Sequence, residues 1–159
     1  MYNWQSYFQL NILWCALFVV FQAGASASIP VEKFSIEQLV VSTTSGDHEF
    51  QIELAKTNSQ RRQGLQHRKS LSLNSGMLFV FEFIKPVTMW MKNTLVSLDM
   101  LFLSSDGRII NIVQKTNPLS LNAIFSIKPV KGVLEIRSGS VKKLKIKVGD
   151  RIRHPLFYK

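Results

Sequence analysis

The sequence predicts a mainly β (α+β) protein: a compact barrel-like or sandwich domain of about eight short strands with one short helix. Three observations predict it. Beyond residue 35 the apolar runs are short, and turn residues separate them at close spacing. In residues 49–54, Phe50, Ile52 and Leu54 alternate with Glu49, Gln51 and Glu53, the period of a half-buried strand. Hydrophobic residues make up 46% and charged residues 19% of 159, with 8 Gly and 5 Pro. That composition excludes a disordered, a collagen-like or a polytopic membrane chain, and the length fits one domain.

Residues 1–27 contain no Lys, Arg, Asp or Glu. Residues 12–21 are an unbroken apolar run, followed by small residues ending in Ala25-Ser26-Ala27. This is the pattern of a secretory signal peptide cleaved after Ala27, with an earlier site at Ala25. The n-region lacks a basic residue, so an uncleaved membrane anchor is the alternative, although the run falls short of the roughly 20 apolar residues a spanning helix needs. Cys15 is the single cysteine and leaves with the signal. The mature chain is then thiol-free, without disulfide or cysteine catalysis. All twenty basic and all ten acidic residues fall in it, so it carries the full +10.

Residues 28–35 read as a linker and 36–159 as the domain. Residues 36–41 and 49–54 are strands joined by the turn-rich segment 42–47. Thr57 or Asn58 caps a short polar helix to about Gln66. Residues 76–81 are a buried strand, and 87–91 another after Pro86. Residues 98–103 and 108–115 flank Asp106-Gly107, a hairpin signal. Residues 117–129, with two prolines, read as a surface loop; 130–136 is a strand. Ser138-Gly139-Ser140 is a turn that can start one helical turn. From Lys143, three lysines alternate with Leu144, Ile146 and Val148, which fits a strand unless a helical turn follows Ser140. Gly149-Asp150 turns into residues 151–157.

Several strings resemble one family. They are Arg61-Arg62-Gln63-Gly64-Leu65 with Arg68 and Leu71, then Gly76-Met77-Leu78-Phe79-Val80-Phe81. Trp90-Met91-Lys92-Asn93-Thr94 with Leu98-Asp99 and Asp106-Gly107-Arg108-Ile109 follow, and Val133-Leu134-Glu135-Ile136, Gly139 and Gly149-Asp150 complete the set. Together they resemble the domain of unknown function 192 family, small and often exported bacterial and archaeal domains. The resemblance covers residues 49 to about 153 and implies a compact, mainly β domain with no settled reaction. Gln66 departs from the pattern where a second methionine is expected, and the tail 151–159 is more basic than it requires.

The polar residues suggest a site. On a strand Trp90 and Lys92 share one face, a grip for an anionic or sugar ligand. The structural alternative has Asn93 and Thr94 holding a turn while Lys92 pairs with Asp99. Asp99 stands in an apolar strand, where a carboxylate needs a partner or a mouth. It reads as a ligand acceptor or general base, or as an ion pair with Lys92, Arg61 or Arg68. Arg61, Arg62 and Arg68 lie along the short helix and its exit, Arg61 and Arg68 seven residues apart, and can fork onto an anion; alternatively one of them pins the helix to the sheet. His48, His67 and His154 show no metal-ligand spacing and read as surface residues. No nucleophile turn, zinc motif or phosphate loop is present.

The resulting expectation is an exported, non-enzymatic ligand-binding or interaction module of the cell envelope, periplasmic or extracellular. Its cleft is formed by Arg61, Arg68, Trp90, Lys92, Asn93 and Asp99, and it uses no cofactor or metal. The partner is a small molecule or an anionic envelope glycan or lipid, with no nucleic acid. One alternative is an envelope enzyme acting on a glycan with Asp99 as general base; another is a structural accessory domain.

Overall fold

Residues 32–157 are described by a computed structural model; the signal-peptide reading of residues 1–27 and most of the linker lie outside them. In chain order the elements are β1 (Ser35–Thr43), β2 (Gly46–Ala55), α1 (Asn58–Gln63), β3 (Ser75–Lys85), β4 (Thr88–Met89), β5 (Leu98–Leu103) and β6 (Ile109–Val113). There follow β7 (Ile124–Phe125), β8 (Val130–Arg137), α2 (Ser140–Lys143), β9 (Arg151–Arg153) and a 3-10 turn, Pro155–Phe157. The β-dominated expectation holds.

Seven strands form one sheet in the order β6-β5-β8-β3-β2-β1-β9, and β4 pairs with β7 separately. Only β2 and β3 run parallel, as their connection through α1 requires. The sheet curls until its edges touch: Arg108 bridges Arg151, and Ile152 N donates to Gly107 O at 2.8 Å. Gly107 permits this contact. Its φ is +78°, and a Cβ there would sit 2.5 Å from Ile152 O.

Curling divides the apolar residues into two cores. The inner one gathers side chains from all seven strands and α2, among them Phe50, Leu101, Leu134, Val141 and Ile152. The outer one lies on β3, β5 and β8, where Met77, Phe79, Met100 and Val133 are covered by Leu65, Val87 and Met91 from irregular segments. The three central strands are therefore buried on both faces, which is why residues 76–81 and 98–103 read as nearly continuous apolar runs.

Several expectations change. The strand expected over 87–91 contracts to the two residues of β4, and its partner β7 lies inside the segment expected to be loop. Residues 140–143 are helical, so the alternating lysine strand does not form. The strand after Asp150 stops at Arg153, where Pro155 removes a donor. His154 is buried, not at the surface; its Nε2 lies 3.1 Å from Glu37 Oε2.

Candidate functional site

Thr57 caps α1 with a reciprocal box: its side chain accepts from Gln60 N, and Gln60 Oε1 accepts from Thr57 N. Gln60 and Gln63 also bond the backbone of Lys33 and Glu32, tying the chain before β1 to the helix. The helix ends at Gly64, whose φ is +49°. A Cβ there would come within 3.1 Å of the Phe79 ring, so the helix exit lies directly against β3. On the outer face of the sheet β3 presents Phe79 and Phe81, β8 presents Glu135, and residues 88–90 form the remaining side. Between them is a cavity of about 250 Å3, lined in part by Arg61, Arg62, Phe79, Phe81, Trp90 and Glu135.

Glu135 lies in the wall that the sheet provides. Its cross-strand neighbours are Met77 and Met100, both fully buried. It is itself only 4% exposed, and burial pushes its carboxyl up to about 8. Among the described residues no hydrogen bond or charge offsets that burial. The group is thus mostly protonated at neutral pH, able to donate through O–H and accept through C=O. Trp90, 54% exposed, offers an indole face to the same cavity. A neutral carboxyl at depth beside aromatic walls suits a ligand carrying a hydroxyl or amide on a ring.

The fold separates the residues expected to form one cleft. Arg61 lines the cavity, but its guanidinium donates to Val80 O at 2.8 Å and to Lys56 O and Asn58 Oδ1. It also lies 5.6 Å from the Phe81 ring centroid. It is therefore the arginine that pins the helix to the sheet. Arg68 forks onto Glu53 at 2.5 and 2.7 Å and is spoken for. Asn93 takes a left-handed turn conformation, φ +56°, and its amide donates to Gln66 Oε1. Lys92 is exposed, and the alternative in which it pairs with Asp99 is not realised, since the Asp99 oxygens accept from backbone amides.

Asp99 corrects the sequence reading most sharply. Alternation along β5 sends Leu98, Met100 and Phe102 into the outer core and Asp99 with Leu101 and Leu103 to the inner side. Asp99 is fully buried there, accepting from Lys115 N at 3.0 Å and Val141 N at 2.9 Å. Those amides satisfy the carboxylate and moor α2, on the opposite face of the sheet from Trp90. It is neither the acid of the cavity nor half of an ion pair.

Sequence reasoning missed Glu135, although the same signal was present: one acid among apolar residues in Val133-Leu134-Glu135-Ile136. It also missed the cavity contributions of Phe79 and Phe81, while Arg62, read with Arg61 and Arg68 as an anion-binding candidate, does line the cavity. Among the described residues no three His, Cys, Asp or Glu side chains converge as metal ligands.

A family model, DUF192, described as "Uncharacterized ACR", matches residues 40–154. A solved structure from Sinorhizobium meliloti 1021, described as "a putative transcription regulator", is 43% identical with a TM-score of 0.75, covering 78% of this chain and 97% of that one. A protein of unknown function from Novosphingobium aromaticivorans is 36% identical with a TM-score of 0.76, covering 83% and 94%. No curated protein matches the chain.

Proposed function

We propose that this chain, which belongs to the domain of unknown function 192 (DUF192) family, is a non-enzymatic, exported ligand-binding module of the cell envelope. Its ligand is a small molecule with a ring face for Trp90 and a hydroxyl or amide for Glu135. The observation that carries this reading is Glu135 itself, buried without a compensating partner among the described residues in the wall of an aromatic cavity. A carboxyl facing a cavity with no protein partner keeps its hydrogen-bonding capacity for a ligand. Support for export comes from the apolar run at residues 12–21 and the Ala25-Ser26-Ala27 site; N-terminal sequencing of the exported protein tests it, and an intact Met1 removes cleavage from the account.

The binding test is calorimetric titration against neutral sugars, aromatic amides and small anions, with Trp90→Ala alongside. A ligand meeting the neutral carboxyl loses affinity as pH rises through about 8. Glu135→Gln keeps binding and flattens that pH dependence, while Trp90→Ala weakens binding about tenfold or more. Wild-type affinity that is indifferent to Trp90 and flat across that range would sink the assignment.

A second reading rests on the same residue. An acid protonated at neutral pH inside an apolar pocket has the property of a general acid, so glycan cleavage moves from Asp99 to Glu135. No second carboxylate is among the described residues lining the cavity, which favours binding over hydrolysis. Glycan turnover lost in Glu135→Gln, with binding retained, would reverse that order.

A further inference from the structure

Two stretches, residues 83–95 and 115–131, run from the end of β3 and into the start of β8 and lie side by side as one irregular ribbon. Lys85 pairs with Val130, Thr88 with Phe125 and Met89 with Ile124. Val87 N donates to Ser126 Oγ at 2.9 Å, Met91 N to Ser120 O at 3.1 Å, and Leu119 N to Thr94 O at 3.0 Å. Val87, Met91 and Ser126 are buried against the domain. The large apolar residues between them face outward. Phe83 is 71%, Phe125 66% and Ile127 76% exposed, and Ile84, Trp90 and Leu121 are exposed as well. The same stretches carry Lys85, Lys92, Lys115, Lys128 and Lys131 and contain no Asp or Glu. So many exposed large apolar residues on two paired stretches whose charged side chains are all lysines require an explanation.

We infer that this ribbon docks on an anionic lipid bilayer surface, its apolar side chains entering the headgroup–acyl boundary and its lysines facing lipid phosphates. Charge decides among the candidate occupants. A second copy would set five lysines against five, a juxtaposition of like charges that opposes association. Protein interfaces are depleted of lysine at their cores, whereas a bilayer accepts lysine stems alongside buried apolar groups. Each lysine near an anionic surface adds about 1 kcal/mol of attraction. The inference stands on the ribbon alone, whether or not the Glu135 cavity is filled.

Hydrogen exchange on the full chain, read segment by segment, tests it. Segmental reading keeps the result separate from any attachment through the apolar run at residues 12–21. Vesicles mixing phosphatidylglycerol with phosphatidylcholine are expected to slow exchange in residues 83–95 and 115–131, and phosphatidylcholine alone is not. The triple substitution Phe83→Ser, Phe125→Ser, Ile127→Ser abolishes the slowing while β5 and β8 stay protected. Lys85→Gln with Lys128→Gln, which leaves the apolar groups in place, raises the lipid concentration for half-protection roughly thirty-fold. Ribbon exchange unchanged by anionic vesicles overturns the inference, as does equal protection on neutral ones. Protection that grows with protein concentration without lipid also overturns it, assigning the face to a second copy.

Discussion

Asp99 and Glu135 are both acids surrounded by apolar neighbours, yet they do opposite things. Asp99 has two backbone amides aimed at its two oxygens, so both are satisfied inside the protein. Glu135 has no such partners among the described residues, and its burial is met by holding the proton instead. The first arrangement builds the fold; the second leaves hydrogen-bonding capacity facing a cavity. Asp99→Asn keeps the shape but turns an amide group toward one of the two N–H donors. It is expected to lose about 2–4 kcal/mol, seen as a lower urea midpoint with the slope unchanged. A midpoint within error of wild type would show that Asp99 does not moor α2.

Among the elements, the closure of the sheet depends on two short pieces, β9 and the turn before β6. Gly107 lets them meet, because only a residue without Cβ fits both its positive φ and the approach of Ile152 O. Gly107→Ala is expected to destabilise by more than about 2 kcal/mol and to raise hydrogen exchange at β9 first. Thr57→Ala, which removes one half of the α1 capping box, is expected to cost about 1 kcal/mol. The two variants rank these devices by thermal or urea unfolding; a larger loss in Thr57→Ala would mean the edge contact contributes little. The ion pair of Arg68 with Glu53 is partly exposed, so its contribution is about 1 kcal/mol despite two hydrogen bonds.

For the whole molecule, pH pulls in two directions. Glu135 binds its proton more tightly folded than unfolded, so the stability it contributes is complete below about 4.5 and is lost as pH rises towards about 8. His154 is the reverse case. Desolvation lowers its pKa, with Glu37 only partly opposing, so the folded state resists its protonation and stability falls as pH drops below 6.5. Between about 6.5 and 8 Glu135 acts alone of the two. Wild-type unfolding free energy is therefore expected to decline across that interval and Glu135→Gln to flatten the decline, measured by urea denaturation at successive pH values. A wild-type profile rising there would contradict the placement of Glu135 as a bare buried acid.

Period and turn chemistry announced β1, β2, β5, β8 and the Thr57 helix, because these depend on near neighbours in the chain: an alternating face, a capping side chain, a glycine at a hairpin. The same local rules overextended residues 87–91 and left β7 unseen, since that pairing joins segments about 36 residues apart and has little periodicity of its own. The site was hidden for a related reason. Val133-Leu134-Glu135-Ile136 and Leu98-Asp99-Met100 are almost interchangeable as strings, and alternation puts Glu135 on one side of the sheet and Asp99 on the other. Only the curl of the sheet makes one side an amide-lined interior and the other an aromatic cavity, and that curl comes from contacts between strands far apart in the chain.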